Sequence, residues 1–129
     1  MNPIKNKKDL EATIDELRNY AYAYLEKYSS SKQQLRTYLF KRSLKKNYKI
    51  SNKKELFHLI DEVILSLEDQ KLLSDKYYSD VKSKAFLRRG YSLNKIRYNL
   101  IKKGIDEKYI KASISKIREK ESNPDFFSA

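Results

Sequence analysis

Lysine and arginine are the residues through which this chain could do chemistry, and the informative feature is where acids are missing among them. No Asp or Glu occurs between Glu26 and Glu55, and none between Asp80 and Asp106, while Lys and Arg recur through both intervals. Arg36, Lys41, Arg42, Lys45 and Lys46 gather in the first; Arg88, Arg89, Lys95, Arg97, Lys102 and Lys103 gather in the second. A solvated helix face ordinarily mixes Glu with Lys, because opposite charges three or four residues apart support each other. Acid-free blocks point instead to contact with an anion. The formal net charge of +12 at pH 7 has the matching sign and favours polyanions, nucleic acid first. Arg adds direction, since its planar fork can hold a phosphate bidentately where Lys offers a mobile point charge. The competing reading is codon bias toward Lys, together with helix dipoles that favour cations at carboxyl ends.

Other chemistry has little to stand on. Eleven tyrosines invite base stacking beside a basic groove. Of these, Tyr24, Tyr28, Tyr78 and Tyr109 fall on apolar stripes and are expected to pack, which leaves Tyr38, Tyr91 and Tyr98 as surface contacts. His58 is the single histidine and Cys is absent, so neither a zinc site nor a thiolate nucleophile is expected. The acid pairs Asp15-Glu16 and Asp61-Glu62 are adjacent and therefore diverge around a helix, which reads as solubility. With no nucleophile–base pair and no Gly-rich phosphate loop, the expectation is a protein that is not an enzyme, with no catalytic residue, cofactor or metal. No run nears the roughly 18 apolar residues of a membrane span and the first residues carry no apolar signal core, so the expectation is a cytoplasmic protein with no membrane partner.

Six helices must carry these residues. Leu10, Ile14, Leu17, Ala21, Tyr24 and Tyr28 step by four and three, which predicts a helix from about Lys8 to Lys27. The run Ser29 to Ser31 caps a second, at about Lys32 to Lys45, with Leu35, Leu39 and Phe40 inward. Asn52 and Glu55 form a reciprocal cap for the most apolar helix, through Leu56, Leu59, Ile60, Val63, Ile64 and Leu67. Ser74 or Asp75 starts a fourth with Tyr78, Val81 and Ala85 inward, ending near Gly90. Ser92 caps a fifth carrying Leu93, Ile96 and Leu100, ended at Gly104, where the missing side chain makes a left-handed turn cheap. Asp106 caps a sixth with Tyr109, Ile110, Ile114 and Ile117 inward.

These six are two copies of one three-helix unit. Ser31, Leu35, Arg36, Leu39 and Arg42 correspond to Ser92, Ile96, Arg97, Leu100 and Lys103 at a shift of 61 positions, and Ile60, Ile64 and Leu67 correspond to Ile110, Ile114 and Ile117 at a shift of 50. The difference is an insertion in the connector at about 44–54. The predicted fold is therefore all-α, tandem three-helix repeats at 8–73 and 74–120 forming an elongated, curved helical array, with a tail at 121–129.

Three stretches carry a family resemblance. AYAYLEKYSSSKQQLRTYLFKRS, LEDQKLLSDKYYSDV and RRGYSLNKIRYNLIKKGIDEKYI are similar to the repeats and junction of the RecX family, across about Tyr20 to Ile117. Two positions depart from the pattern: Lys71 stands where the junction has Gly, and Ser74 where it has the first of two acids, so the local cap is expected to differ. The family usually has three repeats, and a third would begin at Asn123-Pro124-Asp125-Phe126-Phe127; loss of one unit is expected to weaken binding rather than abolish it. The resemblance implies a monomeric regulator that binds the RecA filament on single-stranded DNA and modulates its recombinase, ATPase and co-protease activities, with inhibition the expected direction and stimulation left open. Arg36, Lys41, Arg42, Arg88, Arg89, Lys95, Arg97, Lys102 and Lys103 are the implied RecA or DNA contacts. The alternative is a stand-alone helical DNA-binding protein in which the second helix of each repeat acts as a recognition helix.

Overall fold

A computed structural model describes residues 7–46 and 53–122, and their regular structure is entirely helical: α1 (Lys7–Lys27), α2 (Lys32–Lys46), α3 (Lys53–Asp69), α4 (Asp75–Arg88), α5 (Leu93–Lys102) and α6 (Glu107–Ser122). Asn52 and the tail from residue 123 lie outside the described residues. The chain divides into two compact units, Met1–Leu73 and Ser74–Ala129.

In the first unit all three helices pack on one another. Leu17 and Ala21 of α1, Leu35 and Leu39 of α2, and the α3 stripe Leu56, Leu59, Ile60, Val63, Ile64 and Leu67 form one buried cluster that Leu73 closes. Side-chain pairings set the directions. Arg36 with Asp61 and Lys32 with Glu68 run α2 antiparallel to α3, and Arg42 over Tyr20 and Tyr38 against Tyr24 run it antiparallel to α1. The helix starts as the serines predict: Gln34 N–H donates to Ser31 Oγ at 3.2 Å, while the Gln34 side-chain Oε1 accepts from Ser31 N–H at 3.1 Å. The stripe on α1 ends sooner than its spacing predicts, because Tyr28 is 55% exposed and only leans on the Tyr24 ring.

In the second unit too, all three helices pack on one another. Tyr78, Ile96, Leu100, Ile105, Ile110, Ile114 and Ile117 form its buried cluster. Ser74 and Ser92 cap α4 and α5 by accepting from the amides of Tyr77 and Lys95, and Asp106 accepts from Lys108 N–H at the start of α6. On α4 the predicted inward face is corrected. Val81 and Ala85 are only half-buried, and the side turned to α6 carries the buried Ser79 and Ser83. A search for apolar periodicity passes over serines, yet small hydroxyls let two helices approach closely provided each finds a partner. Here each does: Ser83 donates to the Ser79 carbonyl, Ser79 Oγ lies 2.7 Å from Ser113 Oγ, and Ser113 Oγ donates to Asp80 Oδ1 at 2.7 Å. Lys116 Nζ holds the other Asp80 oxygen at 2.7 Å. The order of these contacts makes α4 and α6 parallel.

Three helices end in the same way, with the amide of the second residue past the cap donating five positions back and the preceding amide three back: Leu72 to Leu67 and Lys71 to Glu68 after α3, Tyr91 to Phe86 and Gly90 to Leu87 after α4, Ile105 to Leu100 and Gly104 to Ile101 after α5. The motif needs a left-handed residue. Gly90 and Gly104 supply it at φ of 89° and 80°, whereas after α3 Lys71 is held at φ 61°. The departure noted at Lys71 is therefore a side chain in a backbone conformation that disfavours one. Lys71→Gly is expected to raise stability by about 0.5–1 kcal/mol, read as a higher denaturant midpoint; a lower midpoint would mean that the lysine contributes contacts outweighing its backbone strain.

Burial pushes the Asp80 carboxyl up, but the hydrogen bonds from Lys116 and Ser113 and the charges of Lys116 and Lys84 outweigh it and hold the group below its ordinary value. A carboxyl depressed in the folded state contributes stability that is full above the unfolded value, near pH 3.9, and lost as pH falls from there toward the folded value. Asp80→Asn is expected to lower stability at pH 7 and to shrink the difference from the parent as pH drops below about 4, measured by denaturant melts across pH 2–7; a difference that does not vary with pH would remove the carboxylate from the account.

Candidate nucleic-acid interface

Position on the helix decides what each basic residue can touch. On α2, Leu35 and Leu39 are buried, so Arg36 projects to the α3 side, Arg42 to the α1 side, and Lys41 outward between them. Arg36 is engaged by its neighbours: Nε and an Nη donate to the two Asp61 oxygens at 2.7 and 3.3 Å. Its guanidinium also lies 4.5 Å from the Phe57 ring centre, and Phe57 stacks on Phe40. Arg42 lies 4.7 Å over the Tyr20 ring.

On α5 the corresponding arginine, Arg97, is bound by Glu107 at the start of α6. Lys95, Tyr98, Ile101 and Lys102 face outward, with Tyr98 60% and Ile101 51% exposed. Lys95 Nζ sits 4.0 Å from the Tyr91 ring centre, and Lys102 Nζ 5.1 Å from that of Tyr98. Tyr91 is itself stacked on Phe86 with ring centres 5.0 Å apart. This outer face of α5 interleaves cations with aromatic rings on a helix with no acid of its own, an arrangement suited to phosphate and an unstacked base. Lys103 is exposed at the carboxyl cap of the same helix. Arg88 and Arg89 end α4; Arg88 lines the α4/α6 groove rather than the α5 face, and Arg89 is the exposed cap residue.

Within neither unit do the predicted contacts share one face of one helix. Arg36 and Arg97, one arginine from each block, are met by carboxylates from the third helix of their own unit. Stretches empty of acid along the chain are not empty of acid in space. Asp61, read from adjacency as a solubility residue, is a partner of Arg36, while Asp15 pairs with Arg18 and Glu62 with His58. Of the tyrosines expected at the surface, Tyr38 and Tyr91 are half-buried in ring stacks and Tyr98 is exposed. Sequence reasoning missed Tyr77, 68% exposed. Among the described residues no group of His, Asp and Glu side chains could hold a metal ion, and no helix is long and apolar enough to cross a membrane.

No protein-family model matches the chain, and neither a curated protein nor a solved structure does. The likeness to RecX accordingly rests on the residues quoted for it.

Both arginine–carboxylate pairs are partly exposed, at 43% and 48% for Arg36 and Asp61 and 36% and 46% for Arg97 and Glu107, so solvent screens them and each is worth about 0–1 kcal/mol. Arg36→Ala also removes guanidinium stacking on Phe57 and is expected to cost about 1 kcal/mol, more than Arg97→Ala. Denaturant midpoints measure the two, and a larger loss for Arg97→Ala would reverse the assignment.

Proposed function

We propose that this chain is a non-enzymatic, monomeric modulator of the RecA recombinase filament in the cytoplasm, contacting filament and single-stranded DNA through the outer faces of α2 and α5. The observation that carries the reading is the α5 face, where Lys95 and Lys102 flank the exposed Tyr98 with no acid on the helix. Lys41 of α2 occupies the position equivalent to Lys102 under the shift that relates the two units, so the charge recurs in register. The resemblance to RecX supplies the filament as partner. Occupying a filament groove obstructs pairing with a second duplex and slows the nucleotide-driven cycle, which makes the modulation inhibitory.

Arg36 and Arg97 leave the contact set in this reading, because withdrawing either from its carboxylate would strand that acid beside a phosphate. Affinity then comes from the remaining cations, Lys41, Arg42, Lys95, Lys102 and Lys103 among them, and from tyrosine stacking. The test is RecA ATP hydrolysis on single-stranded DNA with and without the chain, alongside binding of the chain to the same DNA alone. The parent is expected to suppress hydrolysis and to bind filaments more tightly than naked DNA. Its affinity is expected to fall as salt rises, by roughly 0.7 in log–log slope per phosphate contacted. Lys95→Glu/Lys102→Glu is expected to weaken suppression several-fold with helicity unchanged. Equal affinity for filaments and naked DNA would favour the stand-alone DNA-binding protein, and a flat salt response would remove nucleic acid from the contact.

A further inference from the structure

The second unit has another feature, away from the α5 face. Between the parallel helices α4 and α6 lies a cavity of about 210 Å³ with Leu87 and Ile117 as its apolar walls. Lys84, Arg88, Lys116 and Lys120 stand exposed around it. The one acid in its lining, Asp80, is already held by Lys116 and Ser113. Helix dipoles account for Arg88 and Lys120 in the last turns of α4 and α6. They do not account for Lys84, which stands one turn earlier on α4, while Lys116, one turn earlier on α6, is the partner of Asp80.

Size and charge together narrow the occupant. Sites for whole small-molecule ligands span roughly 300–1,000 Å³, so this cavity is short of room for a nucleotide or a lipid chain. A cavity of about 150 Å³ accommodates a benzene molecule, so this one holds a single large side chain. An apolar socket for one side chain with cations along both edges matches the helix-in-groove mode, in which one or a few anchors give affinity and flanking charges give register. We propose that the α4/α6 groove docks an acidic amphipathic segment of a partner protein, seating one aromatic or leucine side chain between Leu87 and Ile117 with Asp or Glu side chains on Lys84, Arg88 and Lys120. None of Lys95, Tyr98 and Lys102 lines this groove, so the proposal stands apart from the α5 reading.

The probe is a fluorescein-labelled helical peptide of about four turns with one Trp on its apolar face and Glu on both flanks, titrated with the full chain. It is expected to bind, and to weaken by about tenfold or more both when its Trp is replaced by Ala and when the protein carries Lys84→Glu/Lys120→Glu. Both lysines are exposed, so the circular dichroism of that variant is expected to match the parent. Lys95→Glu/Lys102→Glu is expected to leave peptide affinity unchanged, which separates this groove from the α5 face. Absence of binding overturns the proposal, as does equal binding of the Trp-to-Ala peptide, which would reduce the effect to undirected charge attraction. Oligo-dT that displaces the peptide and itself loses affinity on Lys84→Glu/Lys120→Glu would overturn it in favour of a nucleic-acid track.

Discussion

The middle helix of each unit is anchored by a pair of aliphatic side chains, Leu35 and Leu39 on α2 and Ile96 and Leu100 on α5, all fully buried. Everything else about the basic faces depends on that docking. Neither helix would persist alone, since isolated helices of 10 and 15 residues are marginal in water. Each buried Leu or Ile contributes about 1.5–3 kcal/mol to holding the helix against its neighbours. With those four inward, the rotation of each helix is set, and with it which cations look outward and which lie over the third helix.

That rotation is why Arg36 and Arg97 behave differently from the outward lysines. The residue following the first buried aliphatic, Arg36 or Arg97, lands on the seam with the third helix. There it finds position 57 or its equivalent 107, which is Phe in one unit and Glu in the other. Arg97 takes the glutamate directly. Arg36 lies over the phenylalanine and reaches one turn further to Asp61. The two pairings look unrelated along the chain but lie on the same seam, where two positions differ: Phe57 and Asp61 in one unit stand where Glu107 and Lys111 stand in the other.

Much of the fold was legible because its determinants are local. Ser31, Ser74, Ser92 and Asp106 cap the helices they precede, Gly90 and Gly104 end helices with positive φ, and the stripe from Leu56 to Leu67 is buried throughout. What was not legible is what depends on a third helix arriving from elsewhere. Ser79, Ser83 and Ser113 give no apolar signal, yet they line the closest approach in the second unit, where Asp80 is satisfied by residues more than thirty positions away. Tyr28 keeps the step of the α1 stripe but lies past the last turn that α2 and α3 cover. For the candidate site, the outward positions of Lys41, Lys95, Tyr98 and Lys102 follow from helical spacing alone, whereas the neutralisation of Arg36 and Arg97 needed the packed unit.

The pairing of those arginines has a kinetic side. A guanidinium locked in a fork with phosphate resists displacement, while an ammonium on a four-carbon stem exchanges one anion for the next with little change in geometry. With Arg36 and Arg97 each met by a carboxylate of its own unit, the outer face of α5 presents the ammonium groups of Lys95 and Lys102 rather than guanidinium forks. An anion resting on that face would pass between neighbouring ammonium groups with little change in geometry, so its stay at any one of them would be brief.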